Sequence, residues 1–210
     1  MLGMLRAQPE VEMSGPAIDR ANSSSDIWTP WEFIRAVEHK FGPIAIDLTA
    51  SGPQSAKAAR WITPEQNSLK QDWAAMLDGG LGWNNCPYSN IGPWAKYHAE
   101  QMDRGARTLL LVPASVGANW YWDYVEPCAE VWSVGRIAFD NCFDRKTGQL
   151  VSAVYPKDLI LCHYGPTGRA NDTKYPRRMR RWLWKLETTL TPEEADLVIG
   201  AIPLQAGILR

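Results

Sequence analysis

The chain is poor in the residues that staple small secreted domains or build metal centres. It has four cysteines and three histidines among 210 residues, and no two cysteines form a C-x-x-C pair. Disulfide frameworks belong to short secreted chains and zinc sites need clustered ligands, so we expect reduced thiols and no metal. Cys162 and His163 are adjacent, but neighbours on a strand point to opposite faces and make a poor metal pair.

Long apolar runs and an excess of one charge are also lacking. No stretch approaches the roughly 20 apolar residues of a membrane span, and the N-terminus lacks the apolar segment of a signal peptide. We therefore expect a cytoplasmic protein with no membrane contact. The formal net charge is -1, so any binding of nucleic acid must depend on a local basic patch.

Tryptophan, in contrast, is abundant, with eleven copies. Flat aromatic side chains fill protein cores, and they also stack on exposed bases. The count alone does not separate these two roles.

Apolar runs alternate with helical patterns along most of the chain. The runs "IAIDLTAS", "LGWN", "TLLLVPAS" and "DLILCHYG" are typical of strands, and "GPWAKYHAEQMDRG" has the periodicity of an amphipathic helix that ends at Gly105. "AEVWSVGRIAF" indicates two strands that meet at Gly135, and "DNCFDRKTGQ" indicates a loop. This alternation predicts an α/β fold with a mainly parallel sheet.

The ends of the chain differ from its middle. Residues 1–25 lack periodicity and predict a flexible arm, while residues 26–165 form the expected domain and 166–210 a basic aromatic segment with a terminal helix. Thr29 and Glu32 predict a capping box with Pro30 at the first helical position, and Thr191 with Glu194 predict a second one.

Polar residues follow two predicted strands at their carboxyl ends, where ligands bind in open α/β sheets. The first group is Asp47 to Ser51, where a carboxylate is followed by small residues. The second is Asn85-Cys86-Pro87-Tyr88. The Asn85 side-chain carbonyl and the Cys86 backbone carbonyl are suited to accept two N–H bonds from a planar amine that attacks an electrophile. Pro87 stiffens the turn and Tyr88 stacks on the ring.

Two other interpretations of this stretch exist. The first is a plain turn in which Asn85 bonds its own backbone. A thiolate nucleophile at Cys86 is disfavoured, because cytosine-5 methyltransferases use a Pro-Cys pair and the order here is Cys-Pro.

Asn85-Cys86-Pro87-Tyr88 resembles the (Asn/Asp)-Pro-Pro-aromatic motif of amino methyltransferases that use S-adenosylmethionine, with Cys86 in place of the first proline. The order of "DIWTPWEFIRAVEHKFGPIAIDLTAS", "RWITPEQNSLKQDW", "GWNNCPYSNIGPW" and "TLLLVPAS" resembles the phage-type DNA N6-adenine methyltransferases over roughly residues 26–164. The resemblance implies a Rossmann-like methyltransferase fold, mainly parallel with an antiparallel edge hairpin.

The resemblance also implies residue roles. Thr29 and Pro30 would border the methionine end of S-adenosylmethionine, and Asp47 and Ser51 would lie in its strand-end loop. Asp72 and Trp73 resemble the acid–aromatic pair that holds the adenine of the cofactor. The target adenine, flipped out of double-stranded DNA, would be held by the four motif residues Asn85, Cys86, Pro87 and Tyr88.

The segment "KYPRRMRRWLWK" lies beyond the resemblance and contains no acid. It is either a solvated face or a phosphate-backbone contact, since cations beside flat rings suit both phosphates and bases. The predicted nucleic-acid-binding residues are Lys174, Arg177, Arg178, Arg180, Arg181 and Lys185.

Related activities remain compatible with the motif. Cytosine N4 and a protein glutamine present the same kind of planar amine or amide, and a non-catalytic nucleic-acid-binding protein on this scaffold is a rival of another class. The recognition sequence and the oligomeric state are not determined by these patterns.

Overall fold

The structure is a computed structural model that describes residues 27–144, 147–165 and 179–185. Four α-helices and eight β-strands are found within these ranges. The helices are α1 (Trp31–Phe41), α2 (Trp73–Leu77), α3 (Gly92–Asp103) and α4 (Asn119–Tyr124). The strands are β1 (Ile44–Asp47), β2 (Leu81–Asn84), β3 (Arg107–Pro113), β4 (Ala129–Gly135), β5 (Ala138–Asp144), β6 (Gln149–Val154), β7 (Leu159–Tyr164) and β8 (Arg180–Arg181).

Six of these strands form one sheet in the order β1-β2-β3-β7-β4-β8. The pairs β1–β2, β2–β3 and β4–β8 are parallel, whereas β7 is antiparallel to both of its neighbours. All strands of this sheet except β7 therefore run in one direction, which confirms the predicted α/β class with a mainly parallel sheet. The antiparallel hairpin is β5–β6, and it forms a separate two-stranded sheet.

Both faces of the main sheet are covered, as expected for parallel strands joined by helices. Along β3, Leu109 and Leu111 face the cluster that contains the buried side of α1, while Leu110 and Val112 face the cluster that contains α3 and α4. This alternation follows the period of two of an extended chain. The continuous apolar run "LLLV" is thus explained by burial on both sides.

Short-range predictions were wrong at the start of α1. Pro30 precedes the helix instead of opening it, and its carbonyl accepts from the N–H groups of Phe33 and Ile34. The predicted Thr29–Glu32 capping box is absent, because Pro30 occupies the N-cap position and Thr29 lies one residue before it. The Thr29 hydroxyl instead accepts a hydrogen bond from Asn85.

The predicted loop "DNCFDRKTGQ" was wrong as well. Residues 140–144 belong to β5, and Gln149 is the first residue of β6. Most of β6 is exposed, and a strand that protrudes from the core has no apolar alternation by which to recognise it.

Other predictions lie outside the described residues. These are the arm at 1–25, the capping box of Thr191 and Glu194 with its helix, and residues 174–178 of the basic segment "KYPRRMRRWLWK".

Candidate active site

A cleft opens at the carboxyl ends of β1 and β2. The space between its walls is about 330 Å³, a figure that includes open solvent at its mouth. It brings together the predicted residues Thr29, Asp47, Ser51 and Asn85. The full lining is Ile27, Trp28, Thr29, Asp47, Thr49, Ala50, Ser51, Ser55, Lys57, Trp83 and Asn85.

Asp47 is the acid of this cleft. It ends β1 and is only 4% exposed. One carboxylate oxygen accepts from the backbone N–H of Thr49 at 3.1 Å, and the other accepts from the N–H of Lys57 at 2.9 Å. Burial outweighs these hydrogen bonds and the Lys57 charge, and it raises the Asp47 pKa to about 6. The group is therefore ionised at neutral pH and gains a proton in mild acid.

The loop after β1 is closed by hydroxyl contacts. Ser51 Oγ donates to Ser55 Oγ at 2.9 Å, and Ser55 Oγ in turn donates to the Gly52 carbonyl at 3.0 Å. Lys57 is buried beside this loop, with its ammonium 4.9 Å from the centre of the Trp31 ring. Burial lowers the Lys57 pKa. The cleft thus combines hydroxyls, one carboxylate and one ammonium.

Asn85 follows β2 directly, and both ends of its amide are held. Its nitrogen donates to Thr29 Oγ1 at 3.2 Å, and its oxygen accepts from the Tyr88 hydroxyl at 2.7 Å. These two contacts decide which way the amide points. A carbonyl oxygen has a second lone pair, so Asn85 retains the capacity to accept one more N–H bond.

Cys86 is the departure from the usual motif, and its side chain points into the core. It is buried in the same cluster as Ile91 and Leu110. Burial raises the pKa of its thiol far above the ordinary value, which leaves the thiol protonated and unreactive at neutral pH. Cys86 therefore fills space in the core, and its thiol does not line the cleft.

Tyr88 is fixed by two contacts. Its hydroxyl bonds Asn85, and its ring lies edge-on to Tyr155 with the centroids 5.4 Å apart. The Tyr155 N–H donates to the Ile137 carbonyl at the base of the β5–β6 hairpin. Tyr155 was not predicted as a site residue, and only the hairpin brings it to the motif.

A second unpredicted feature lies behind the motif. Asn84, the residue before the motif, is fully buried and bonds His98 of α3 and Thr49 of the cleft. The sequence signal for this contact was His98 itself, a polar residue on the apolar face of α3 beside Trp94 and Met102. An isolated histidine in such a pattern does not reveal its partners.

Asp72 and Trp73 are not brought to the cleft. Asp72 caps α2 by accepting from the Ala75 N–H at 3.2 Å and forms an ion pair with Arg104. Trp73 is fully buried, and its indole N–H donates to the carbonyl of Ser68 at 3.0 Å. Their assignment to the adenine of the cofactor stays a prediction that this cleft does not support.

Pro30 lines a neighbouring cavity instead of the cleft. That cavity has an empty volume of about 490 Å³ between the start of α1, the β5–β6 hairpin and Lys185. Pro30 adjoins the cleft only through Thr29.

The basic segment is partly described. Arg180 and Arg181 form β8 on the outer edge of the sheet, and both are exposed, as is Lys185. Lys174, Arg177 and Arg178 lie outside the described residues.

The tryptophans of this segment are not available for stacking on bases. Trp182 and Trp184 are 3% and 4% exposed. They pack on Phe33 of α1, with ring centroids 5.8 and 5.0 Å away, and Trp184 Nε1 donates to the Val134 carbonyl at 3.2 Å. These two rings complete the hydrophobic core.

Fold and site together define a class. A mostly parallel sheet, a strand-end cleft with a buried acid and an Asn-Cys-Pro-Tyr turn are the features of a Rossmann-like amino methyltransferase. The family model of the DNA N-6-adenine-methyltransferases (Dam) matches residues 19–163. The chain belongs to this family, which confirms the resemblance found in the sequence. It is accordingly a DNA adenine methyltransferase, with DNA as its substrate and a methyl donor as its second reactant.

Two phage proteins illustrate the relationship. The DNA N-6-adenine-methyltransferase of Haemophilus phage HP1 is 33% identical over 124 residues, which cover 57% of this chain and 69% of that protein. The DNA N-6-adenine-methyltransferase of Escherichia phage T1 is 28% identical over 124 residues, and these cover half of that protein.

The described residues lack two kinds of feature. No helix there has both the length and the apolar character to cross a membrane. In the same part of the chain, no three His, Cys, Asp or Glu side chains are grouped so that they could hold a metal ion.

Proposed function

We propose that the chain transfers a methyl group from S-adenosylmethionine to the N6 amine of an adenine that has flipped out of duplex DNA, with Asn85 as the central catalytic residue. The observation that carries this proposal is the fixed Asn85 amide, held by Thr29 on one side and by Tyr88 on the other.

The cleft fits S-adenosylmethionine by its donor and acceptor set. The cofactor carries a carboxylate, an ammonium and hydroxyls, and the cleft offers the Asp47 carboxylate, the Lys57 ammonium and the hydroxyls of Thr29 and Ser51. Asp47, Thr29 and Ser51 would hold the cofactor, with Pro30 next to Thr29. When bound, S-adenosylmethionine supplies a methyl group on a good leaving group, so the protein contributes mainly alignment and electrostatics.

Asn85 and Cys86 act on the amine. The lone pair of an exocyclic amine is delocalised into the ring, which makes the nitrogen a weak nucleophile. The free lone pair on the Asn85 oxygen and the Cys86 backbone carbonyl accept the two N–H bonds of the amine. Positive charge develops on this nitrogen during attack, so these contacts strengthen in the transition state.

Tyr88 has two tasks in this account. Its hydroxyl holds the Asn85 oxygen in place, and its ring is the stacking partner of the flipped adenine. An amine inside a duplex cannot reach such a pocket, so the base must leave the stack. Arg180, Arg181 and Lys185, together with Lys174, Arg177 and Arg178, contact the phosphate backbone.

The proposal is tested by mass spectrometry of nucleosides. Unmethylated duplex DNA is incubated with the protein and S-adenosylmethionine and then digested. We expect N6-methyladenine, and none when the protein is omitted. N4-methylcytosine in its place would contradict the assigned base, and the absence of any methylated nucleoside would contradict the function.

A further inference from the structure

His98 is a buried imidazole that the proposed chemistry does not use. It lies on α3 and is fully buried between two rings. Tyr164 stacks on it with a centroid distance of 5.0 Å, and Trp73 lies edge-on at 4.9 Å. A polar ring in this position is stable only when both of its nitrogens have hydrogen-bond partners.

Both nitrogens do have partners, and these partners define the tautomer. Nε2 lies 3.0 Å from the Asn84 amide nitrogen, and Nδ1 lies 2.7 Å from Thr108 Oγ1. The amide nitrogen can only donate, so Nε2 accepts and the proton resides on Nδ1, which donates to Thr108. Burial lowers the His98 pKa to about 3. The ring is therefore neutral at any pH used for an assay.

This contact belongs to a chain of hydrogen bonds that ends in the cleft. The Asn84 oxygen accepts from Thr49 Oγ1 at 3.1 Å, and the Thr49 N–H donates to the Asp47 carboxylate. This series of hydrogen bonds runs from Thr108 on β3 through His98 on α3 and Asn84 on β2 to the loop after β1. Asn84 is the immediate neighbour of Asn85.

Successive residues of an extended chain point to opposite sides. Asn84 is held on the α3 side of the sheet by His98, and Asn85 is held on the α1 side by Thr29. The end of β2 is therefore fixed from both faces, and Asn84 also holds the cofactor loop by accepting from Thr49.

We propose that His98 is a positioning residue for methyl transfer, which sets the separation between the cofactor loop at Thr49 and the amine-binding Asn85 by orienting the Asn84 amide. This inference rests on the proposed function. The two reactants are held by different strands, and an in-line transfer between them is sensitive to displacements of about 1 Å, which can cost roughly 100-fold in rate.

Two substitutions at this position separate orientation from space filling. His98→Leu fills a similar volume without a donor or an acceptor, whereas His98→Gln keeps one acceptor and one donor at a similar separation. Measurements on the full chain are the single-turnover methylation rate, the Kd for S-adenosylmethionine, the KM for DNA and the melting temperature.

We expect His98→Leu to lower the methylation rate by about 100-fold, with much smaller changes in the Kd for the cofactor and the KM for DNA. His98→Gln should recover most of the rate. A folded His98→Leu variant with the wild-type rate overturns the proposal. So does an equal loss of rate in both variants, because a role in packing alone gives no advantage to glutamine.

Thr108→Val is the second variant, for the case in which His98→Leu does not fold. It removes only the acceptor of the Nδ1 proton, on β3 and away from the cleft. We expect a reduced rate with unchanged cofactor affinity, and a wild-type rate overturns the proposal. Wild-type protein in the same assay separates failure of the proposed function from failure of the role of His98. If wild type does not methylate adenine, the proposed function fails. If wild type is active and the variants are unaffected, only the role of His98 is refuted.

Discussion

The carboxyl ends of β1 and β2 and the outer edge of the sheet at β4 and β8 are built in opposite ways. At the strand ends, polar groups such as Asp47 and Asn84 are buried, and each has hydrogen-bond partners. At the outer edge, the rings of Trp182 and Trp184 are buried and the cations of Arg180 and Arg181 are exposed.

The difference shows where function and stability lie. Buried polar groups are costly unless they are satisfied, so a satisfied network beside a cleft favours a role in orientation. Buried aromatic rings stabilise through their large apolar area. Substitutions at the strand ends should therefore change chemistry, and substitutions of the outer tryptophans should change stability.

The largest expected effect on stability is that of Trp184→Ala. The ring packs on Phe33, and its removal should cost about 3–5 kcal/mol of the free energy of unfolding. Trp122→Ala is the matched control, since that ring is 58% exposed and its loss should change stability by about 0.5 kcal/mol or less. Denaturant unfolding measures both, and equal costs would contradict the role of Trp184 in the core.

Asp47→Asn tests the acid of the cleft. A hydrogen bond to a charged group is worth about 1.5–3 kcal/mol, so the affinity for S-adenosylmethionine should fall about tenfold or more. Wild-type affinity should also fall as the pH decreases through about 6, where the Asp47 carboxylate gains its proton. The variant should be insensitive to pH in this range. Calorimetric titration at several pH values provides the measurement, and a pH-independent wild type would contradict a role for the Asp47 charge.

The same pKa has an opposite consequence for folding. The folded protein binds the Asp47 proton more tightly than the unfolded chain, so this group contributes most stability below pH 3.8 and loses that contribution as the pH rises through about 6. The ionised form of Asp47, which the proposed cofactor contact requires, therefore contributes less to the stability of the fold than the protonated form does.

The double substitution Arg180→Ala and Arg181→Ala tests the exposed cations of the outer edge. Affinity for DNA falls as salt rises, and each phosphate contact that is lost should make the slope of log affinity against log salt less steep by about 1. The melting temperature should change little. Lys96→Ala on α3 is the control, because Lys96 is an exposed cation outside the basic segment. DNA binding measured across a salt series gives the slopes, and an unchanged slope would remove these arginines from the interface.

The smallest effect is expected for Cys86→Ala. The backbone carbonyl is preserved and only a buried sulfur is lost, so the methylation rate should be unchanged and stability should fall by about 1 kcal/mol. Loss of an essential nucleophile would instead lower the rate by several orders of magnitude. A loss of that size would restore the thiolate interpretation.

The sequence predicted the regions in which local pattern and burial agree. The strands β1, β2, β3 and β7 are apolar runs, α3 has helical periodicity, and the Asn-Cys-Pro-Tyr motif is continuous in the chain. These features depend on short windows of residues, so they are visible without a structure.

The features that were missed depend on contacts between distant residues. Trp184 reaches the core because the two residues of β8 pair with β4, about 50 positions earlier in the chain. Tyr155 meets Tyr88 only through the β5–β6 hairpin, and His98 finds Asn84 only after α3 has packed on the sheet. The Thr29–Glu32 capping box failed because α1 begins one residue later than predicted, and the Thr29 hydroxyl instead accepts from the distant Asn85.

The central claim is that the Asn85 carbonyl activates the adenine amine. Its most direct test is the single-turnover rate of methyl transfer by Asn85→Ala, beside wild type, with DNA and S-adenosylmethionine saturating. We predict a rate at least about 100-fold lower, with the Kd for S-adenosylmethionine nearly unchanged. A rate equal to that of wild type would contradict the account.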